Sequence, residues 1–405
     1  MSVGVDKPLE CLPVEGIRLS AIASGIRYQD RLDLVLIELA DGSSTAGVFT
    51  QNAFCAAPVS LSKKHLAKAK TRYFLINTGN ANAGTGKQGD ADALACCAAL
   101  ARLAGADVDQ ILPFSTGVIG EPLPVDKIEA GLPAALQSLA PGNWEGAARG
   151  IMTTDTRPKG CSRKLSFSSG EVTLTGIAKG AGMIKPNMAT MLAFIATDAR
   201  VGEELLQSSL QSAVNKSFNR ITVDGDTSTN DCCMLVATGK SGIDVQQLDA
   251  EELIQFQSAV RELAQELAQE LIRDAEGASK FITIRVAGGR TTEECLAVGY
   301  AVAESPLVKT ALFASDPNWG RILAAVGRAG LVDFDLNLVR IHLGSTLLVC
   351  DGGRAPTYKE SLGQDEMDKE EIEILIDLNR GEAEETFWTS DLSNEYIRIN
   401  AEYRT

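Results

Sequence analysis

The spacing of apolar residues along the chain predicts a mixture of strands and helices. Short apolar and β-branched runs bounded by Gly, Asn or Asp are typical of strands, and apolar residues repeated every three or four positions are typical of helices. The predicted strands cover 34–40, 46–50, 73–77, 164–167, 171–178, 190–197, 280–287 and 339–343. The predicted helices cover 90–104, 203–217, 249–275, 305–314 and 318–329. This order lacks the regular repeat of a doubly wound sheet, so we expect an α/β protein of another kind.

Length, charge and hydropathy limit the number of domains and the kinds of partner that the sequence predicts. The chain has 405 residues, with 38 Lys+Arg against 53 Asp+Glu and a formal net charge of −15. At roughly 150 residues per domain, this length predicts two or three domains or one large two-lobed body. No long basic run is evident, so we expect neither a nucleic-acid nor an anionic-membrane partner. No stretch approaches 18 consecutive apolar residues and the first ten residues lack the apolar core of a secretion signal, so the expectation is a cytoplasmic protein.

Histidine and cysteine are too few or too poorly spaced for several common types of site. The two histidines are His65, in a short basic stretch that predicts a surface position, and His342, in a strand-like run that predicts a position on a sheet. A Ser-His-Asp triad or a histidine-rich metal site therefore has little to build on. The nine cysteines include two adjacent pairs and no C-x-x-C motif, so we expect buried reduced thiols and neither a disulfide framework nor a zinc site.

Two loops suggest ligand binding at first sight, but their details favour a structural interpretation. The Gly-rich loop over 78–89 follows a strand and precedes a helix, as a phosphate-binding loop does. However, Ala81 replaces the first Gly of the G-x-x-x-x-G-K-[ST] pattern, and Gln88 replaces the residue that would bind magnesium. The three carboxylates over 224–231 lack the spacing of a calcium-binding loop. The expected roles are tight turns and helix capping for 78–89, and loop building near an active site for 224–231.

The segment 176–199 contains the strongest indication of chemistry. Its sequence is GIAKGAGMIKPNMATMLAFIATDA, in which a Gly-rich loop and a Pro-Asn turn precede a hydrophobic strand predicted to begin with Thr190. If the Ala189–Thr190 bond were cut, the Thr190 hydroxyl would lie beside its own α-amine, whose ordinary pKa of ~8 suits a general base. That arrangement would need no histidine. From the residues alone, a structural threonine at the start of a strand is the commoner interpretation.

Eight short segments carry a resemblance to a known family. They occur in the family's order and at family-like spacing, and they cover 77–82, 115–120, 152–156, 179–192, 224–231, 276–278, 316–321 and 399–401. Each segment is a weak signal alone, whereas the whole series is highly specific. On these segments the chain resembles, over nearly its whole length, the ornithine acetyltransferase (glutamate N-acetyltransferase) family of arginine biosynthesis.

The resemblance implies a fold and an assembly. The fold is an α/β sandwich with two central sheets between helical layers, similar in outline to N-terminal-nucleophile hydrolases. Self-cleavage after Ala189 would divide the precursor into an α chain, 1–189, and a β chain, 190–405. The two chains would stay associated, and the family's usual assembly implies an α2β2 heterotetramer.

The resemblance also implies which residues act. Thr190 matches the family's nucleophile, which is acetylated and deacetylated in a ping-pong cycle. Thr116 and Gly117 match the oxyanion hole, in which a hydroxyl and a backbone N–H stabilise the tetrahedral intermediate. Without the family, a tight turn would be the preferred interpretation of this pair. The positions that match substrate contacts are Thr153, Lys179, Thr190, Glu276, Asn400 and Thr405.

The implied reaction transfers the acetyl group of N2-acetyl-L-ornithine to L-glutamate, with neither a cofactor nor a metal. Some members also accept acetyl-CoA as the donor, and the sequence leaves this second activity open. Lys179 and Glu276 are the natural candidates for recognising the charged groups of amino acids, although which end of the substrate each one meets stays open. The alternatives are a self-processing amidohydrolase or aminopeptidase of a related fold, and a non-catalytic binding protein that is not cleaved.

Overall fold

Strands and helices follow one another irregularly along the computed structural model, which describes residues 3–4, 8–185 and 191–402. The strands are β1 (Ile17–Ile22), β2 (Leu34–Leu39), β3 (Ser44–Phe49), β4 (Tyr73–Asn80), β5 (Ile111–Val118), β6 (Lys159–Phe167), β7 (Gly170–Lys179), β8 (Leu192–Thr197), β9 (Ile221–Thr222), β10 (Cys232–Ala237), β11 (Phe281–Gly289), β12 (Arg340–Leu343), β13 (Thr346–Cys350), β14 (Gly353–Arg354), β15 (Glu371–Asp377) and β16 (Ala383–Ser390). The helices are α1 (Ala57–Leu66), α2 (Gly86–Ala104), α3 (Val125–Gln137), α4 (Trp144–Gly150), α5 (Glu203–Asn215), α6 (Ala250–Arg273), α7 (Thr292–Ala303), α8 (Pro306–Phe313), α9 (Trp319–Gly327), α10 (Glu360–Met367) and α11 (Asn394–Ala401).

The chain forms two units. Of the described residues, the larger unit contains 8–185, 191–219 and 226–271, and the smaller unit contains 3–4, 220–225 and 272–402. This grouping does not follow the predicted division at 189 and 190, which concerns a peptide bond and stays a prediction.

The larger unit is built from two sheets that pack face to face. The four-stranded sheet has the order β1-β2-β4-β5, and the five-stranded sheet has the order β3-β10-β8-β7-β6. Side chains from both sheets form one core, whose members include Val35, Ile37, Phe74, Phe114, Phe194 and Met234. The rings of Phe74, Phe114 and Phe194 have centroids 5.1–5.6 Å apart, so aromatic contacts join the two sheets.

Helices cover the outer faces of these two sheets. Because successive strand residues point to opposite faces, Leu34 and Leu36 of β2 point away from the shared core. They pack instead in a second core with residues of α2 and α3. On the five-stranded sheet, α6 packs so closely on β7 that a Cβ at Gly176 would lie 2.9 Å from the side chain of Leu263. The prediction of two central sheets between helical layers is therefore confirmed.

The smaller unit contains a third sheet, which the sequence analysis did not predict. Its strand order is β14-β13-β12-β15-β11-β16-β9. Helix α7 packs on β11 and β16. Gly299 of α7 allows this close approach, since a Cβ there would lie 2.0 Å from the ring of Phe387 on β16.

Several predicted boundaries and positions need correction. The strand predicted over 190–197 begins at Leu192 in the described residues, and α2 begins at Gly86 instead of residue 90. The helices that were not predicted are α1, α3, α4, α7, α10 and α11. The surface position of His65 is wrong, because its side chain on α1 is buried and its Nδ1 lies 2.7 Å from the carbonyl oxygen of Ile111. The position of His342 on a sheet is confirmed by β12.

Most of the cysteines are buried. All nine cysteines lie in the described residues and are free, six of them buried, as predicted. In the described ranges, no single helix is long and apolar enough to cross a membrane, although the bent pair α7 and α8 meets the criteria of length and composition.

Candidate active site

The predicted site residues divide between the two units. The larger unit contains Thr116, Gly117, Thr153 and Lys179. The smaller unit contains Glu276 and Asn400. The residues Ala189, Thr190 and Thr405 lie outside the described residues. Met191 is the first described residue after the predicted nucleophile.

The start of β8, just after Thr190 in the chain, lies between two neighbouring strands. Leu192 is paired with Lys179 of β7 in an antiparallel register and with Cys232 of β10 in a parallel register. The backbone N–H of Cys232 also donates to the carbonyl oxygen of Met191 at 3.2 Å. Lys179 therefore lies beside the strand that follows the predicted nucleophile.

Thr116 and Gly117 lie at the end of β5, where its pairing with β4 becomes irregular. Gly117 has a φ of +134°, and a Cβ there would lie 2.3 Å from the carbonyl carbon of Gly79. Only glycine fits at such a position. Thr116 is 4% exposed, so its side chain is buried beside this turn. A hydroxyl held beside a glycine turn in this way is able to donate to an oxyanion.

Buried asparagines brace this turn. The Ser115 hydroxyl donates to Asn77 Oδ1 at 2.5 Å, and Asn77 Nδ2 donates to the carbonyl oxygen of Asn80 at 2.8 Å. Further along, Asn82 Nδ2 donates to the carbonyl oxygen of Gly89 at 2.9 Å, inside the first turns of α2. These contacts support the structural interpretation of the Gly-rich loop.

A buried cluster around Asp155 orients Thr153 and Lys179. The ammonium of Lys179 donates to Thr153 Oγ1 at 3.2 Å. Asp155 Oδ2 accepts the backbone N–H of Thr153 at 3.0 Å, and its Oδ1 accepts the backbone N–H of Gly180 at 2.7 Å. The same Oδ1 accepts a hydrogen bond from Lys159 Nζ at 2.5 Å. One carboxylate therefore fixes the backbone at Thr153 and at Gly180, the residue that follows Lys179.

Charge compensation keeps this buried carboxylate ionised. The side chains of Asp155 and Lys159 are both 0% exposed. Burial alone would raise the pKa of Asp155, but the positive charges of Lys159 and Lys179 hold it well below its usual range. An ammonium and a hydroxyl oriented by such a group, as in Lys179 and Thr153, are suited to bind a substrate carboxylate.

Arg31 also supports Thr153, and sequence reasoning missed it. Its Nη2 donates to the carbonyl oxygens of Met152 and Thr153 at 2.7 Å each. Asp155 and Lys159 were missed as well, although Asp155 belongs to the segment 152–156 that carried the resemblance. Arg31 belongs to no recognised motif, so no signal in the sequence could have found it.

In the smaller unit, Glu276 and Asn400 lie in direct contact. Asn400 Nδ2 donates to Glu276 Oε2 at 2.7 Å, and the Glu276 side chain is buried. Asn400 belongs to α11, whose N-cap Ser393 donates to the carbonyl oxygen of Gly277 at 2.7 Å. Gly277 has a φ of +68°, and a Cβ there would lie 2.6 Å from the backbone nitrogen of Tyr396. The helix therefore packs tightly on the loop that carries Glu276.

The segment 224–231 contributes contacts of its own. In the described ranges, no group of three or more His, Cys, Asp or Glu side chains is arranged to hold a metal ion. Asp224 accepts a hydrogen bond from the Tyr396 hydroxyl at 3.0 Å, and Asp231 Oδ1 accepts one from the backbone N–H of Met191 at 3.0 Å. These contacts are those of residues that build loops.

Comparison with known proteins relates the chain to one family. The model of the ArgJ family matches residues 18–405. The chain is 57% identical over 407 residues to the arginine biosynthesis bifunctional protein ArgJ of Pseudomonas fluorescens (strain Pf0-1), with 100% of both chains covered. Among solved structures, ArgJ from Bacillus halodurans is 33% identical, with 50% of this chain and 95% of that chain covered and a TM-score of 0.48. Ornithine acetyltransferase from Mycobacterium tuberculosis, solved in complex with ornithine, is 36% identical, with 43% and 92% covered and a TM-score of 0.40.

Proposed function

Because the chain belongs to the ArgJ family, we propose that it transfers the acetyl group of N2-acetyl-L-ornithine to L-glutamate, releasing ornithine and forming N-acetylglutamate. Family membership confirms the resemblance seen in the sequence and the prediction of an acyltransferase of arginine biosynthesis. The observation that supports amino-acid substrates is the contact between the Lys179 ammonium and the Thr153 hydroxyl at 3.2 Å. In this proposal the two groups bind the α-carboxylate that the donor and the acceptor share.

Glu276 and Asn400 are further substrate contacts in this proposal, on the strength of the family match. The Glu276 carboxylate, supported by Asn400, binds the side-chain ammonium of acetylornithine. Thr405 supplies a further hydroxyl to the substrate. This assignment rests on charge complementarity. The ammonium of the substrate is attracted to the Glu276 carboxylate, and the carboxylate of the substrate is attracted to the Lys179 ammonium.

The proposed nucleophile is Thr190, which self-cleavage of the Ala189–Thr190 bond turns into an N-terminal residue. The products are the α chain, 1–189, and the β chain, 190–405, which remain associated. The new α-amine lies on the same residue as the hydroxyl, so it serves as the general base. The site needs no histidine for this purpose.

The reaction proceeds in two half-reactions. The Thr190 hydroxyl attacks the acetyl carbonyl carbon while the α-amine takes the hydroxyl proton, and Thr116 and Gly117 donate to the oxyanion. The Thr190 α-amine then gives the proton to the amide nitrogen of the substrate. The C–N bond breaks, and ornithine leaves with a free amine. The α-amine of glutamate attacks the resulting acetyl-Thr190 ester. The Thr190 α-amine takes the proton that the glutamate amine loses and passes it to the Thr190 oxygen as the ester C–O bond breaks, which restores the hydroxyl and releases N-acetylglutamate.

Three further proposals follow from the family. The relative from Pseudomonas fluorescens is named a bifunctional protein, and for this chain we assign the second activity to the acetylation of glutamate by acetyl-CoA at the same nucleophile. The cleaved chains assemble as an α2β2 heterotetramer. The enzyme acts in the cytoplasm, where biosynthetic amino-acid substrates are available.

Intact-mass analysis and a transfer assay test the proposed function together. In proportion to the residues on each side of the cut, the 43.0 kDa chain should give pieces of about 20 and 23 kDa. The Thr190→Ala variant should stay at 43.0 kDa and transfer no acetyl group, whereas Thr190→Ser should cleave and retain activity. A single full-length mass in active wild-type enzyme would exclude self-cleavage. Release of acetate from acetylornithine without glutamate, at the rate of transfer, would support the amidohydrolase alternative.

A further inference from the structure

Two consecutive buried residues, Asn230 and Asp231, lie directly before β10. Their exposed fractions are 6% and 1%. They end the segment 224–231, which carried the resemblance to the family but received no role in the reaction. The Asp231 side chain contacts Met191, just before β8, and the Asn230 side chain contacts Ser115 of β5.

Asp231 holds the residue that follows the predicted nucleophile. Its Oδ1 accepts the backbone N–H of Met191 at 3.0 Å. The next residue, Cys232, donates its own N–H to the carbonyl oxygen of Met191 at 3.2 Å. Both polar groups of the Met191 backbone are therefore fixed from the start of β10, one residue after Thr190.

Asn230 holds the residue that precedes the predicted oxyanion hole. Its Nδ2 donates to the carbonyl oxygen of Ser115 at 2.9 Å and to that of Ala81 at 2.7 Å. The amide is itself oriented, because Thr229 Oγ1 donates to Asn230 Oδ1 at 2.5 Å. The carbonyl of Ser115, immediately before Thr116, is therefore fixed by the same short segment.

We propose that Asn230 and Asp231 are positioning residues that fix Met191, the residue after the predicted nucleophile, relative to Ser115, the residue before the predicted oxyanion hole. The two adjacent side chains hold the Met191 N–H and the Ser115 carbonyl oxygen. The distance between these two backbone groups therefore depends on one buried dipeptide. This inference rests on the proposed function. A transfer reaction is sensitive to such placement, since an error of about 1 Å is able to cost on the order of 10² in rate.

The role of Asp231 requires an acceptor and no negative charge. Its Oδ2 has no hydrogen-bond partner among the described residues. Burial raises the pKa of Asp231 well above its usual range, against the opposing effects of the Met191 N–H, Ser228 and Lys179. Asparagine keeps the acceptor Oδ1 that the Met191 N–H needs, whereas alanine removes it.

Steady-state kinetics on fully cleaved protein tests the proposal. Asp231→Ala and Asn230→Ala should lower kcat on the order of 10²-fold while KM for acetylornithine stays within about twofold. Asp231→Asn should restore kcat to within about tenfold of wild type. The exposed controls Asp90→Asn and Asn215→Ala should match wild type. A merely structural role would lower the melting temperature without this separation of kcat from KM.

Several results would overturn the proposal. The first is that both alanine variants keep a kcat within about twofold of wild type. The second is that Asp231→Asn loses as much kcat as Asp231→Ala. If the alanine variants fail to fold, Thr229→Val removes only the bond that orients Asn230, and its kcat should still fall severalfold. An unchanged kcat in Thr229→Val would then reject the role of Asn230. Failure of the proposed function is distinguishable, because Thr190→Ala would then retain transfer activity.

Discussion

Asp155 and Lys159 form an ion pair of 2.5 Å in which neither side chain reaches solvent. Loss of one partner from such a pair leaves an uncompensated buried charge, which is strongly destabilising. The same carboxylate accepts the backbone N–H groups of Thr153 and Gly180. Stability of the larger unit and orientation of the proposed carboxylate-binding groups therefore depend on one side chain.

Replacing Asp155 should reduce the stability of the folded protein. We expect Asp155→Asn to lower the free energy of unfolding by about 3–5 kcal/mol at neutral pH, because Lys159 stays buried without its partner. The exposed pair Arg149–Glu145 has the same spacing of four residues, so Glu145→Gln should cost about 0–1 kcal/mol. Chemical denaturation of both variants measures the difference, and equal losses would contradict the expectation.

The contribution of Asp155 should depend on pH in a defined direction. Its pKa in the folded protein is lowered, mainly because the charges of Lys159 and Lys179 outweigh the effect of burial. The stabilisation is therefore complete above the pKa of an unfolded Asp, near ~4, and is lost as the pH falls toward the folded pKa. The difference in unfolding free energy between wild type and Asp155→Asn should shrink below about pH 4. A difference that stays constant from pH 7 to pH 3 would contradict this assignment.

The fold of the larger unit was predictable where periodicity alone decides the structure. In β2, Leu34 and Leu36 face the helices while Val35 and Ile37 face the second sheet, as an alternating strand requires. Helix α7 was missed because it is apolar on most of its surface and contains Gly299. That glycine is needed only because the ring of Phe387 approaches it, which is a tertiary contact.

Prediction of the candidate site from the sequence has the same limit, because tertiary contacts leave no local pattern. Thr116, Gly117, Thr153 and Lys179 were predicted from short motifs that match the family. Arg31 was not, since its contact with Met152 joins positions 121 residues apart in the chain. Sequence patterns over a few residues carry no information on such pairs. Groups that support a site from a distance in sequence therefore become visible only in the folded structure.

The contact of Arg31 with the Thr153 carbonyl should affect substrate binding more than chemistry. In Arg31→Met, the carbonyl oxygens of Met152 and Thr153 lose their charged donor, whose hydrogen bonds contribute about 1.5–3 kcal/mol each. We expect KM for acetylornithine to rise on the order of tenfold, with a smaller change in kcat. The exposed control Arg149→Met should leave KM unchanged. Equal KM values for the two variants would assign Arg31 to stability alone.

The Thr116 hydroxyl should act in the transition state. If it donates to the oxyanion, Thr116→Ala should lose on the order of 10²–10³ in kcat, with little change in KM for acetylornithine. Thr116→Ser keeps the hydroxyl and should recover most of the loss. Both variants should be assayed after intact mass confirms cleavage, because the same hydroxyl is available to the self-cleavage step. An unaltered kcat in Thr116→Ala would limit Thr116 to its place in the turn.

The general base should be the α-amine of Thr190 and neither of the two histidines. The His65 ring is buried on α1, where Nδ1 lies 2.7 Å from the Ile111 carbonyl oxygen and Nε2 lies 3.4 Å from Asp109 Oδ1. Ile111 begins β5 and Thr116 lies near its other end, so about 16 Å of strand separates the ring's contact from the predicted oxyanion hole. His342 lies on β12 of the smaller unit.

The pH–rate profile of the double variant His65→Gln/His342→Gln decides between the two kinds of base. An α-amine has an ordinary pKa of ~8, and a partly desolvated amine titrates below that value because burial disfavours its charged form. The acidic limb of kcat should therefore keep its midpoint in the double variant, even if the loss of the buried His65 contact lowers the melting temperature. Circular dichroism identifies the folded fraction used for kcat. Disappearance or displacement of the acidic limb in folded, cleaved enzyme would show that a histidine carries the proton.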